Sequence, residues 1–214
     1  MKAERLGPYT LTLPDGCFPL GRDSLLLGEF ATVRPGWRVC DLGCGGGTLL
    51  LLLAGREPTL ALTGVELDTS AARAAEENLA ANGLAGRVLT GDMADPALLP
   101  AGAFDLAVSN PPYFAAASGG DGGFARMEGS CTLEGLCAAA ARLVKNGGRF
   151  ALVHRPERLA ELLVALGAHG LETKRLRLCH HTPDKAPFAV LVEAVKQGRP
   201  GLEVLPPWFA KEMT

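Results

Sequence analysis

The chain has 214 residues, 48% of them hydrophobic and 21% charged, with a formal net charge of −2. A chain this long folds as one domain with short additions and needs no disulfide or metal staple. The composition excludes a disordered charged tail; the near-neutral total carries no bulk attraction to nucleic acid, although the mildly basic second half permits a local phosphate-binding face.

Tyr9–Leu20 places extended residues on either side of Asp15-Gly16, a hairpin signal. Asp23-Ser24 can cap a helix whose apolar residues Leu26, Leu27, Phe30 and Val33 recur at helical spacing, with Pro35-Gly36 as its stop. From Trp37 onward strand and helix alternate. Strands are expected at Arg38–Asp41, Leu60–Val65, Arg87–Thr90, Asp105–Ser109 and Arg149–Val153. The intervening helices are expected at Thr48–Ala54, Thr69–Asn82, Thr132–Val144 and Pro156–Leu166. Two last extended runs, Glu172–Cys179 and Phe188–Val195, flank a short polar loop and read as an antiparallel pair.

This alternation predicts an α/β fold with a doubly wound, mostly parallel sheet and a late antiparallel edge. Residues 1–36 read as a hairpin-and-helix extension, 37–196 as the main domain and 197–214 as a tail. The six cysteines at 17, 40, 44, 131, 137 and 179 form no Cys-x-x-Cys pair, so neither a zinc site nor a disulfide scaffold is expected. Met1–Arg5 lacks a signal-peptide core, and the longest apolar run, Leu49–Ala54, is too short to cross a bilayer. A cytoplasmic protein is expected, without a metal and without a membrane anchor.

Three motifs carry chemistry. Val39–Gly47 ends a strand in a glycine cluster, with Asp41 two residues before Gly43 and Gly45 two residues after it. Glycines there let the backbone turn tightly beside a ligand, and the carboxylate favours an ammonium group over a phosphate. Glu66, about one βα unit on, stands where an acid accepts from both hydroxyls of a ribose. Asp92 follows the third strand and could accept from an adenine amine with Met93 packed on the ring, or could be a turn residue. Ser109-Asn110-Pro111-Pro112-Tyr113 ends the fourth strand. Its prolines remove amide donors, so the loop offers carbonyls, and Asn110 adds another acceptor. Two acceptors aimed at one planar NH2 would orient it, and Tyr113 supplies a stacking surface.

Over residues 37–155 this order of motifs resembles the class I S-adenosylmethionine-dependent methyltransferases. The resemblance implies a Rossmann-like, seven-stranded, mostly parallel sheet whose last strand is antiparallel. It also implies S-adenosyl-L-methionine as cofactor and S-adenosyl-L-homocysteine as product. Asp41, Gly43 and Gly45 correspond to the cofactor turn, Glu66 to the ribose acid and Asp92 to the adenine neighbour. Asn110, Pro111, Pro112 and Tyr113 correspond to the catalytic loop of enzymes that methylate planar nitrogens. Asp23, Cys44, Leu67 and Met93 are further cofactor-binding candidates under the same resemblance.

Most of the chain is also similar to the bacterial tRNA(Val) adenine-37 N6-methyltransferase family. Gly21–Leu27, Ala125–Glu128, Gly148–Leu159, Lys174–Arg177, Pro183–Lys185, Leu191–Ala194 and Leu205–Pro207 carry that similarity, and Arg22 departs from its usual Thr. It implies methyl transfer to the N6 of an adenine in tRNA or another structured RNA. Arg126, Arg155, Lys174, Arg175 and Arg177 are the candidate phosphate contacts, with His180-His181 close by. Two alternatives stay open: glutamine methylation of a protein such as a release factor, which uses the same loop on an amide, and a binding module without catalysis.

Overall fold

A computed structural model describes residues 2–14, 19–111 and 132–210. Strands β1 (Lys2–Leu6) and β2 (Tyr9–Leu13) form an antiparallel hairpin, followed by helix α1 (Arg22–Phe30). The alternating region contains β3 (Arg38–Leu42), α2 (Thr48–Arg56), β4 (Ala61–Glu66), α3 (Thr69–Ala81), β5 (Gly86–Thr90) and β6 (Phe104–Ser109). It continues through α4 (Leu133–Leu143), β7 (Val144–His154), α5 (Leu159–Ala168), β8 (Leu171–His180) and β9 (Ala189–Lys196). Two-residue strands β10 (Glu203–Val204) and β11 (Trp208–Phe209) complete the order.

The seven expected strands of the main sheet are present, in the order β8-β9-β7-β6-β3-β4-β5. β10 and β11 both pair with β8, which brings the sheet to nine strands. Neighbours from β7 to β5 run parallel, while β9 is antiparallel to both β7 and β8. The antiparallel strand is therefore inserted inside the sheet, and β8 lies outside it. Residues 181–188 allow only a short return from β8 to β9, whereas α5 carries the chain from β7 past that gap.

Alternation along the strands feeds two cores. Val39, Leu106, Val108, Ala151 and Val153 face α1, α2 and α3. Cys40, Leu42, Ala107, Phe150 and Leu152 face α4 and α5. Both faces are covered, as a parallel sheet requires.

Two local expectations change. The hairpin closes around Gly7-Pro8, with Gly7 at φ +58°, and pairs Leu6 with Tyr9. Asp15-Gly16, where the turn was expected, lies outside the described residues. Helix α1 begins at Arg22 behind Gly21 with no side-chain cap, and Ser24 sits in its first turn, already helical.

The hairpin docks through two asparagine amides four residues apart, Asn78 on α3 and Asn82 at its C-terminal cap. Thr12 N donates to Asn78 Oδ1 and Asn78 Nδ2 to Thr12 O, at 2.8 and 2.9 Å. Asn82 repeats the exchange with Thr10 at 2.8 Å in both directions. Each side chain thus completes the backbone edge of β2 as a strand would.

A buried carboxylate holds the other end of α1. Glu193, fully buried on β9, accepts from Thr32 N at 2.8 Å, Thr32 Oγ1 at 2.9 Å and Arg149 at 2.7 Å. Arg175 adds a longer bond at 3.3 Å and places its guanidinium 4.7 Å from the Phe30 ring centroid. Removing one partner of a buried pair strands the other charge. Glu193→Ala should therefore cost about 3 kcal/mol, seen as a lower denaturant midpoint, with Glu193→Gln losing less. A midpoint equal to that of the parent would sink this account of the network.

Candidate functional site

The C-terminal ends of β3, β4, β5 and β6 lie side by side, and the sequence motifs sit on them. After β3 the chain turns through Gly43, Gly45 and Gly47 at φ +76°, +52° and +85°. Side chains other than glycine rarely adopt that region. Gly43 N and Cys44 N donate to Val65 O at 2.9 and 3.0 Å, which ties the turn to β4. The opposite edge of the turn is pressed by Leu13 of the hairpin at Gly46, whose carbonyl accepts from Asn78 Nδ2 at 2.9 Å. A side chain on Gly45 would meet nothing within 4 Å, so that glycine faces open space.

Glu66 is buried at the end of β4 and is held at both oxygens. Its Oε2 accepts from Gly45 N at 2.8 Å and its Oε1 from Asp68 N at 3.0 Å. Asp68 in turn caps α3 by accepting from Ala71 N at 2.8 Å. Asp41 is buried as deeply, at 1% exposure, yet neither carboxylate oxygen has a hydrogen-bond partner among the described residues. Burial, and then the charge of Glu66, hold the Asp41 carboxyl well above the usual carboxylate range. Burial and Asp41 likewise push the Cys44 thiol up, so Cys44 is a neutral packing group here.

An orphaned buried carboxylate beside an open glycine cradle fits a cationic ligand. Leu67, half exposed beyond β4, offers an apolar surface, and the Met93 methyl reaches to 3.9 Å of the position a Gly43 Cβ would take. Asp92 is exposed, and its Oδ1 accepts from Ala94 N at 2.8 Å, so the turn role is realised.

At the end of β6, Ser109 Oγ donates to Leu42 O at 2.7 Å and locks this strand to β3. Asn110 is half-buried, and its Nδ2 donates to Ser24 Oγ on α1 at 2.9 Å. With the amide nitrogen engaged, Asn110 Oδ1 is oriented away as an acceptor. Pro111 is buried; Pro112 and Tyr113 lie outside the described residues.

The structure thus brings together Asp41, Gly43, Cys44, Gly45, Glu66, Leu67, Met93 and Asn110. Asp23 lies in the first turn of α1, one residue before Ser24, and within reach of Cys179 at the end of β8, whose thiol is pushed up by burial above all and by the Asp23 charge in lesser part. The candidate RNA contacts separate. Arg155 is exposed at the end of β7, on the side of the site. Lys174 donates to Arg199 O at 2.9 Å, Arg175 serves the Glu193 network, and Arg177 lines a cleft with Leu25, Glu29 and Trp208. Arg126 lies outside the described residues. His154 is fully buried and accepts from Arg155 N at 2.9 Å, and burial lowers its pKa. Among the described residues no group of three or more His, Cys, Asp or Glu could hold a metal ion, and no helix is long and apolar enough to cross a membrane.

Two contributors escaped the sequence reading. Ser24 looked like a helix cap, and Asn78 looked like an ordinary helix residue. Nothing along the chain pairs position 24 with 110 or 78 with 46.

Residues 22–168 match the family described as the methyltransferase small domain. The chain belongs to that family. A tRNA1(Val) (adenine(37)-N6)-methyltransferase from Porphyromonas gingivalis is 34% identical over 83% of this chain and 75% of its own. One of the same name from Aeromonas hydrophila is 39% identical over 70% of this chain and 64% of its own. Among solved structures, a predicted O-methyltransferase from Agrobacterium tumefaciens superposes with a TM-score of 0.71 at 26% identity, covering 87% of this chain and 86% of that one. TrmN from Thermus thermophilus superposes with a TM-score of 0.61 at 26% identity, covering 81% of this chain and 48% of that one.

The methyltransferase-family site has a measurable electrostatic signature. The folded protein keeps the Asp41 proton at pH values where the unfolded chain has lost it. Stability of the ligand-free protein should therefore fall as pH rises from the ordinary carboxylate range through the raised pKa. Asp41→Asn should stabilise the ligand-free protein, with a gain in thermal midpoint that grows from pH 5 to pH 8, and should weaken S-adenosyl-L-methionine binding. A gain independent of pH would show that Asp41 is ionised without a ligand.

Proposed function

We propose that this chain transfers a methyl group from S-adenosyl-L-methionine to the exocyclic N6 of an adenine in tRNA, in the anticodon loop. The names carried by its relatives support the substrate. The observation that carries the chemistry is the Asn110 amide, anchored through its nitrogen to Ser24 Oγ at 2.9 Å.

The residues of the turn fit the cofactor by their chemistry. Asp41 is the partner for its ammonium group, Glu66 for its ribose hydroxyls, and Leu67 with Met93 for its adenine ring. When bound, the cofactor supplies an electrophilic methyl group. The protein contributes position and electrostatics. Asn110 Oδ1 and the Pro111 carbonyl accept from the two protons of the target amine, which holds its lone pair along the line of transfer. The amine gains positive charge as it attacks, so these acceptors favour the transition state over the ground state. The sequence motif gives Tyr113 the task of stacking on the base. No base need act before transfer, because the proton leaves once nitrogen carries the charge. A tRNA substrate is consistent with the expected cytoplasmic location.

Label from tritiated S-adenosyl-L-methionine should appear as N6-methyladenosine in unmodified tRNA, and Asn110→Ala should abolish it. Ser24→Ala frees the Asn110 amide to rotate and should lower kcat roughly tenfold, the size of one lost hydrogen bond to a transition state. The cofactor KM should stay near that of the parent, and Ser24→Thr should restore much of the rate. Label on release-factor glutamine, with none on RNA, would overturn the substrate reading.

A further inference from the structure

The first turn of α1 reaches a second group of side chains. Arg22, two residues before Ser24, donates from Nη1 to His181 Nδ1 at 3.3 Å and lies 5.8 Å from the Phe188 ring centroid. His181 is stacked on Phe188, with centroids 4.4 Å apart and planes 24° apart. Phe188 meets Trp208 edge-on at 6.4 Å. Phe188 and Trp208 are half-buried against the core, whereas Arg22 and His181 are exposed. The result is a ladder of flat groups that is rigid at its base and open at its outer plane.

The loop carrying this ladder is pinned. His180 Nδ1 donates to Lys185 O at 2.7 Å, Lys185 N to Thr182 O at 3.2 Å, and Phe188 N to Cys179 O at 2.8 Å. The flat groups are therefore presented without much ordering cost on binding.

Its place in the fold gives it a use. β8 and β7 run in the same direction, on either side of antiparallel β9. The end of β8 and the start of β9 therefore lie at the same end of the sheet as Asn110. β6, β7 and β9 are consecutive neighbours, so the strand lines of Asn110 and Phe188 are about 10 Å apart. Helix α1 spans that distance, touching Asn110 through Ser24 and His181 through Arg22. Among the described residues Arg22 forms no ion pair with a carboxylate, and exposed Arg155 and Lys185 stand at the same end.

We propose that Arg22, His181 and Phe188 form a base-stacking subsite for a single-stranded nucleotide next to the adenine being methylated. The proposal rests on the RNA reading above and gives His181 a role. Sequence-tolerant RNA binding uses aromatic, histidine and guanidinium planes on which an unstacked base lies, with cations nearby for phosphates. A target adenine held at Asn110 is drawn out of its stack and leaves its neighbour in need of a new one. The outer face of His181 supplies that plane, and Arg22 holds the imidazole against Phe188.

The test is steady-state methylation of unmodified tRNA made by transcription, together with filter binding of the same RNA. The double variant Arg22→Ala/His181→Ala should raise KM and Kd for tRNA roughly tenfold, with kcat and the cofactor KM unchanged. His181→Phe keeps a stacking plane and should stay within about twofold of the parent, the loss of one base stack being far larger. Thermal midpoints of all variants should match, because both side chains are exposed. If the parent methylates tRNA and the double variant binds it equally well, the subsite is overturned. If His181→Phe is as weak as the double variant, stacking is the wrong mechanism. A parent that labels protein and never RNA would overturn the RNA reading itself, and the subsite with it.

Discussion

Two carboxylates are buried within electrostatic reach of each other at the ends of adjacent parallel strands, and much of the site is arranged around that cost. Glu66 meets it with two backbone amides, one from the glycine turn and one from the start of α3. Those bonds hold the turn open in the geometry that its left-handed glycines permit. Asp41 has no such partners. Its charge is expensive without a cation, a penalty that the proposed ammonium partner would remove. Under that proposal, a more stable residue at position 41 would give a worse site.

Helix α1 is the second organising element, because it connects regions far apart in sequence. Its first turn fixes the Asn110 amide through Ser24 and the His181 ring through Arg22. Its far end is fixed by Glu193, which binds the Thr32 backbone and hydroxyl while pairing with Arg149 and Arg175. The short helix that holds the Asn110 amide at one end is thus anchored at its other end by a buried ion network. Arg175, which looks like a phosphate contact when strand residues are read by alternation, belongs to that network.

The hairpin plays a comparable part on the other flank. Asn78 joins three things at once: the open edge of β2, helix α3 and the carbonyl of Gly46 in the glycine turn. Leu13 packs on the same glycine. The turn is therefore clamped between β4 and an element added before the main sheet begins.

Much was legible along the chain because the signals are local. Apolar runs and glycine stops mark the alternating strands and helices, and the strand-end motifs at Asp41, Glu66 and Asn110 mark by residue type and order where the proposed site lies. Local signals also misled at Ser24, where a favoured capping residue sits inside the helix, and the Gly7-Pro8 turn that the described hairpin uses was not read from the sequence. What tertiary structure alone decided is which distant groups meet: Ser24 with Asn110, Asn78 with Gly46, Arg175 with Glu193, and Arg22 with His181. Those pairings follow from strand order and from the insertion of β9 between β7 and β8. Residue identity states what a side chain can bond to, whereas only the packed sheet sets which partner lies within hydrogen-bond reach.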